Sequence, residues 1–262
     1  MHKNIILVGI LAAHLCGCSE NERLRLVAQD GNADAAYELA LRYEKKAAAY
    51  SLKSSWEADK WMVIAADRGC SAARVRMGLK CISEEDLDEA VERPSLYENQ
   101  LNAAKSWFEK AARQGDLTGS RLLGLACFAL SKKSSYVIGD ESLNRRDEVW
   151  KEGLYWCSRS WERVSEVGDT VGAVTLASTI AREYERKGML SEAFLWRTRA
   201  AETGNDEAQF RLAQMYFKGR GCEKSTEKAL SWLEKAAAQG HAEAKQLMDS
   251  LKPIGSLKKG GL

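Results

Sequence analysis

The stretch Asn205–Gly240, NDEAQFRLAQMYFKGRGCEKSTEKALSWLEKAAAQG, decides the fold. Its 36 residues read as two short helices in antiparallel contact. In the first, Ala208, Phe210, Leu212, Ala213, Met215 and Tyr216 recur at helical spacing. In the second, Ala229, Leu230, Trp232, Leu233, Ala236 and Ala237 do the same. Gly219 and Gly221 end the first helix, Ser225 caps the second, and Gly240 terminates it. A lone helical hairpin cannot bury both faces, so such a unit predicts a stacked α/α solenoid.

The rest of the chain supplies the neighbours. Aligned on Gly31, Gly69, Gly115, Gly168, Gly204 and Gly240, Trp61, Trp107, Trp196 and Trp232 stand eight residues upstream, with Ser160 in the remaining unit. Four residues downstream comes Ala35, Ala73, Gly119, Gly172, Ala208 or Ala244, always small. Eight downstream comes Leu39, Met77, Leu123, Leu176, Leu212 or Met248, always apolar. Small residues let helices approach closely, while Leu and Trp fill the space between hairpins. The composition agrees: 45% hydrophobic and 29% charged suits a folded chain, and two prolines in 262 residues suit helices. The net charge of +2 has both signs interspersed, against the basic stripe of a nucleic-acid surface.

The pattern resembles the Sel1-like repeat, a relative of the tetratricopeptide repeat. Ala208, Leu212, Ala213, Tyr216, Gly219, Gly221, Lys228, Ala229, Trp232, Lys235, Ala236, Ala237 and Gly240 carry the likeness. The expected organisation is all-α, with about five repeats: 32–69, 70–115, 116–168, 169–204 and 205–240. Capping helices are expected at 18–31 and 241–252, and a flexible tail at 253–262 beginning at Pro253. Repeat 1 has lost the Gly-x-Gly loop to YEKKAAAYSLKSS; repeats 2 and 3 carry insertions at 82–106 and 128–158. The first insertion is acidic (Glu84, Glu85, Asp86, Asp88, Glu89, Glu92) behind Ser83; it is either a solvated helix face or a docking edge for a basic partner. The second leads to Trp150, Tyr155, Trp156 and Trp161, which either fill an irregular unit or anchor a partner.

The first residues read differently. Lys3 is followed by an apolar run, Ile5–Leu15, too short to span a bilayer comfortably. Leu15-Cys16-Gly17-Cys18 resembles the lipobox of bacterial lipoproteins, which implies a signal peptide over 1–17 and lipid attachment at Cys18. Ser19 then resembles an outer-membrane sorting signal, so the expected location is the cell envelope, anchored by lipid and facing the periplasm.

Catalytic chemistry finds little support. Beyond the leader only His241 remains as a histidine, the mature chain has no C-x-x-C, and Gly219-x-Gly221 follows a helix rather than a strand. The chain reads as non-enzymatic, without metal, cofactor or small-molecule substrate. Cys127 and Cys157 occupy positions that face one another in a helical hairpin, which makes them the expected disulfide; buried thiols are the alternative.

Sel1-like solenoids bind proteins or peptides along a groove lined by their first helices. Here that groove would use Tyr37, Leu41, Leu79, Arg121 and Leu125 in the earlier repeats. Phe210 and Gln214 would serve in the last, with Trp150 and Trp156 from the insertion. The implied role is an envelope adaptor for a partner protein. The alternatives are an immunity protein against a secreted toxin such as a phospholipase and, last, an enzyme acting on cell-wall or β-lactam substrates.

Overall fold

The computed structural model describes residues 19–50, 52–132 and 140–256. They are α-helical apart from short turns and one 3-10 turn, with no strand among them. The helices are α1 (Glu20–Gln29), α2 (Ala33–Tyr50), α3 (Leu52–Asp67), α4 (Ser71–Cys81), α5 (Glu84–Glu92), α6 (Glu98–Ala112) and α7 (Leu117–Ser131). After them come α8 (Asp140–Glu166), α9 (Thr170–Arg186), α10 (Leu190–Glu202), α11 (Asp206–Lys218), α12 (Thr226–Ala238) and α13 (Ala242–Ser256). The fold is an α/α solenoid, and it divides inside α8, after Gly153, into two compact units.

In the first unit α1 packs on α2, α2 on α3, α3 on α4, α4 on α6 and α6 on α7. Its first core joins Leu39, Trp61, Met62 and the alanines 35, 36, 40, 65, 66 and 73. In the second unit α9 to α13 pack in sequence, with Phe210, Ala213, Leu233, Ala236 and Ala244 in one core cluster. The in-phase positions do what their spacing predicts. Leu39, Leu123, Leu176 and Leu212 are buried, as are Ala35, Ala73, Gly119, Ala208 and Ala244.

The hairpin joints share one device. Each terminal glycine has positive φ, and the residue after it caps the next helix. Asn32, Asp116, Asp169 and Asn205 accept from the backbone N–H three residues on, at 2.8–2.9 Å. His241 does the same through Nδ1 at 3.3 Å, and Cys70 alone among the six makes no side-chain cap bond. This satisfies an amide that a helix start otherwise leaves without a partner. A second device covers the tryptophans. Lys110, Arg199 and Lys235 lie over the rings of Trp107, Trp196 and Trp232, at 4.3, 4.3 and 3.8 Å from the centroids.

Four expectations change. The stretch YEKKAAAYSLKSS is helical on both sides of Ser51, which lies outside the described residues: it lengthens α2 to 18 residues and α3 to 16, since Ala47–Ala49 favour helix. The insertion of repeat 2 is shorter than 82–106, because Glu98 already begins α6. Its acidic part is a true helix, α5, capped by Ser83, which turns Leu87, Ala90 and Val91 into the core and packs on α7. Much of the expected insertion 128–158 is α8, a 27-residue helix. Pro253 does not stop α13, which runs to Ser256; near a helix end a proline removes one hydrogen bond without a whole turn to break. Cys18, where lipid attachment is expected, the expected leader 1–17 and residues 257–262 lie outside the described residues.

The expected Cys127–Cys157 bridge is not formed. Each cysteine is completely buried and present as a thiol.

Candidate functional site

The second unit carries a cavity of about 320 Å3 lined by Glu185, Arg197, Glu207, Arg211, Gln214, Met215, Lys218 and Arg220. Glu185 comes from the last turn of α9 and Arg197 from the middle of α10. Glu207, Arg211, Gln214 and Lys218 fall at i, i+4, i+7 and i+11 of α11, which is one helix face. The opposite stripe of α11, including Ala208, Leu212 and Ala213, is buried, and this fixes the polar face toward the cavity. Arg220 follows in the turn between α11 and α12.

The turn is rigidly specified. Gly219 closes α11 in the left-handed conformation, φ 67°. The Arg220 N–H donates to the Met215 carbonyl at 3.0 Å, and that of Ser225 to the Tyr216 carbonyl at 3.1 Å. Gly221, φ 72°, passes so close to α10 that a Cβ there would overlap the Leu190 carbonyl and come 3.1 Å from the Ser191 nitrogen. Only glycine fits.

The charges divide into two sets. Arg197 Nε donates to Glu185 Oε1 at 3.2 Å, and Arg211 Nε to Glu207 Oε1 at 2.6 Å. The other Glu207 oxygen lies 2.8 Å from His241 Nε2. The His241 bond is the main reason the Glu207 carboxyl sits below its ordinary range, with Arg211 adding to it. The side chains of Lys218, Arg220 and Gln214 have no hydrogen-bond or ion-pair partner among the described residues. Four cations therefore stand against two carboxylates, and the surplus belongs to the two without partners.

Of the residues that sequence reasoning placed on a binding face, Gln214 alone lines this cavity. Phe210 is buried in the core and stacks on His241, centroids 4.6 Å apart. In the first unit Tyr37 and Leu41 pack against the α2–α3 core, and Leu79 and Leu125 are half-buried. Arg121 is held by Glu84 of α5 at 3.0 Å. Trp150 is buried at 6% exposure, so it offers no open anchor. Trp156 is half-buried and meets Tyr155 edge-on at 5.1 Å. Trp161 instead meets Trp196 edge-on at 5.3 Å, under Arg199.

Sequence reasoning missed Arg197, Arg211, Lys218 and Arg220. The signal was available: charges at 207, 211 and 218 fall on the polar face of α11, and Lys218 and Arg220 bracket Gly219. A second cavity, of about 330 Å3, is lined by Thr170, Val171, Val174, Thr175, Thr203, Gly204 and Asn205, without a charged group. Among the described residues no group of three or more His, Cys, Asp or Glu side chains could hold a metal, and no helix is long and apolar enough to cross a membrane.

The family model for the Sel1 repeat matches residues 97–116 and 206–241, the second helix of repeat 2 and the whole hairpin that carries the cavity. Those two stretches of the chain are Sel1 repeats. Among curated proteins, the chain is 49% identical over 47 residues to the chitin synthase regulator SKT5 of Saccharomyces cerevisiae. That match takes in 18% of the chain and 7% of the regulator, so it speaks for a repeat and not for the whole yeast protein. A Sel1 repeat protein from Oxalobacter formigenes shares the fold: TM-score 0.50, 20% identity, 96% of this chain and 89% of that one. The c5321 protective antigen of uropathogenic Escherichia coli, an SLR fold, matches at TM-score 0.48 and 22% identity, over 95% of this chain and 48% of the antigen. Sel1 repeats are typically found in protein-interaction scaffolds.

Proposed function

We propose that this chain is a non-enzymatic adaptor of the bacterial cell envelope, anchored by lipid at Cys18 and holding a partner protein on the first-helix face of its second unit. The observation that carries the binding role is the α11 face: Lys218 and Arg220 flank Gly219 in a turn whose Gly221 admits no side chain, Gln214 stands one helical turn before Lys218, and the side chains of all three make no hydrogen bond or ion pair among the described residues. Polar side chains unused by the fold, set on a backbone of fixed geometry, are available to a recognition surface. The anchor rests on the lipobox-like Leu15-Cys16-Gly17-Cys18 alone. Two or more acyl chains would hold such a protein stably at a membrane.

Growth with a clickable palmitate analogue tests the anchor. The full-length chain is expected to take up label and sediment with membranes, and Cys18→Ser to lose both. Equal labelling of Cys18→Ser would place the lipid elsewhere or nowhere.

A further inference from the structure

We infer that the cavity on α11 receives an acidic, extended segment of the partner protein, with a peptide group on Gln214 and carboxylates on Lys218 and Arg220. This rests on the scaffold function proposed above and adds the chemistry of what is held. Charge supplies the first argument. Arg197 and Arg211 are already neutralised by Glu185 and Glu207, so they act as fixed walls. Lys218 and Arg220 remain, two residues apart on a constrained turn, and their mutual repulsion is relieved when an anion enters. Lys218 also suits the C-terminal end of the α11 dipole, but Arg220 lies beyond the helix and has no such role.

Gln214 supplies the second argument. A carboxamide offers both a donor and an acceptor, the complement of a peptide N–H and C=O, whereas a simple anion needs donors only. One such group placed one helical turn from a cation matches a peptide with an acidic side chain better than it matches an isolated phosphate. Size supplies the third. A cavity of about 320 Å3 is too small for a helix about 10 Å across, but it admits a few residues of extended chain. Guanidinium and ammonium bonds to carboxylates are among the stronger hydrogen bonds, and here the exposed side chains give up only water, with no intramolecular ion pair to break.

Fluorescence anisotropy with the full-length chain in detergent tests this. Three blocked peptides are compared: one rich in Glu and Asp, its Gln/Asn counterpart, and a Lys-rich one. The acidic peptide is expected to bind at least about 10-fold more tightly than either, and to weaken as salt rises. The double variant Lys218→Gln/Arg220→Gln should lose about 10-fold for the acidic peptide at unchanged Tm, since both side chains lie outside the core. Gln214→Leu should lose affinity while keeping the salt dependence. Unchanged binding by the double variant, or full displacement of the peptide by dilute inorganic phosphate, would overturn the assignment. A partner captured by the wild type without any preference among the three peptides would also overturn it, while leaving the scaffold function standing. A chain that captures no partner at all would count against the scaffold function itself.

Discussion

At the scale of single residues, the joints between hairpins are set by a glycine and the capping residue after it. The cap at Asn205 accepts the Ala208 N–H at 2.8 Å, and Asn205→Ala is expected to cost about 1 kcal/mol. Gly221→Ala should cost more, about 3 kcal/mol, because it adds left-handed strain to an overlap with the Leu190 carbonyl. Chemical denaturation of the two variants orders these effects; an unaffected Gly221→Ala would mean the turn relaxes freely. The cysteines make a second residue-scale prediction. Cys127 and Cys157 are expected to resist alkylation in the native protein and to react fully on unfolding without a reductant. A mass that changes only after reduction would show a bridge instead.

At the scale of elements, much was legible. The period of Gly, Trp, Ala and Leu gave helix pairs, their cores and the close approaches at Ala208 and Ala244, because burial forces those positions to be apolar or small. The departures came from segments without that period. Ala47–Tyr50 carry no turn residue, so α2 continues; α5 hides Leu87, Ala90 and Val91 within an acidic run that reads as solvated. The cavity was harder to foresee, since its residues belong to three helices and only folding brings Glu185 and Arg197 beside α11. Gln209 was also out of sight. It is buried, donates to the Ala201 carbonyl at 3.3 Å and accepts from Gln239 at 2.8 Å, tying α10, α11 and α12 through one side chain.

The last helix is tied to α11 through His241 and Glu207, and pH should expose the tie. The Glu207 carboxyl titrates below its unfolded value, chiefly through the His241 bond. Its contribution is therefore complete above the ordinary glutamate range and is lost as pH falls through the lower folded value. Melting temperatures across the acidic range should drop more steeply for the wild type than for Glu207→Gln. Parallel profiles would show that the bond adds nothing to stability; with Glu207 about half exposed, the difference is expected to be small.

At the scale of the molecule, the repeats explain stacking, and function lies in what stacking leaves over. The hairpin Asn205–Gly240 is both the most regular copy and the one whose turn holds Lys218 and Arg220 beside an uncommitted Gln214. A photoreactive residue placed at Gln214, compared with one at exposed Ser231 on α12, tests that claim most directly in living cells. The account predicts a discrete protein adduct from position 214 that is absent from position 231. Adducts of equal yield from both positions, or from position 231 alone, would contradict it.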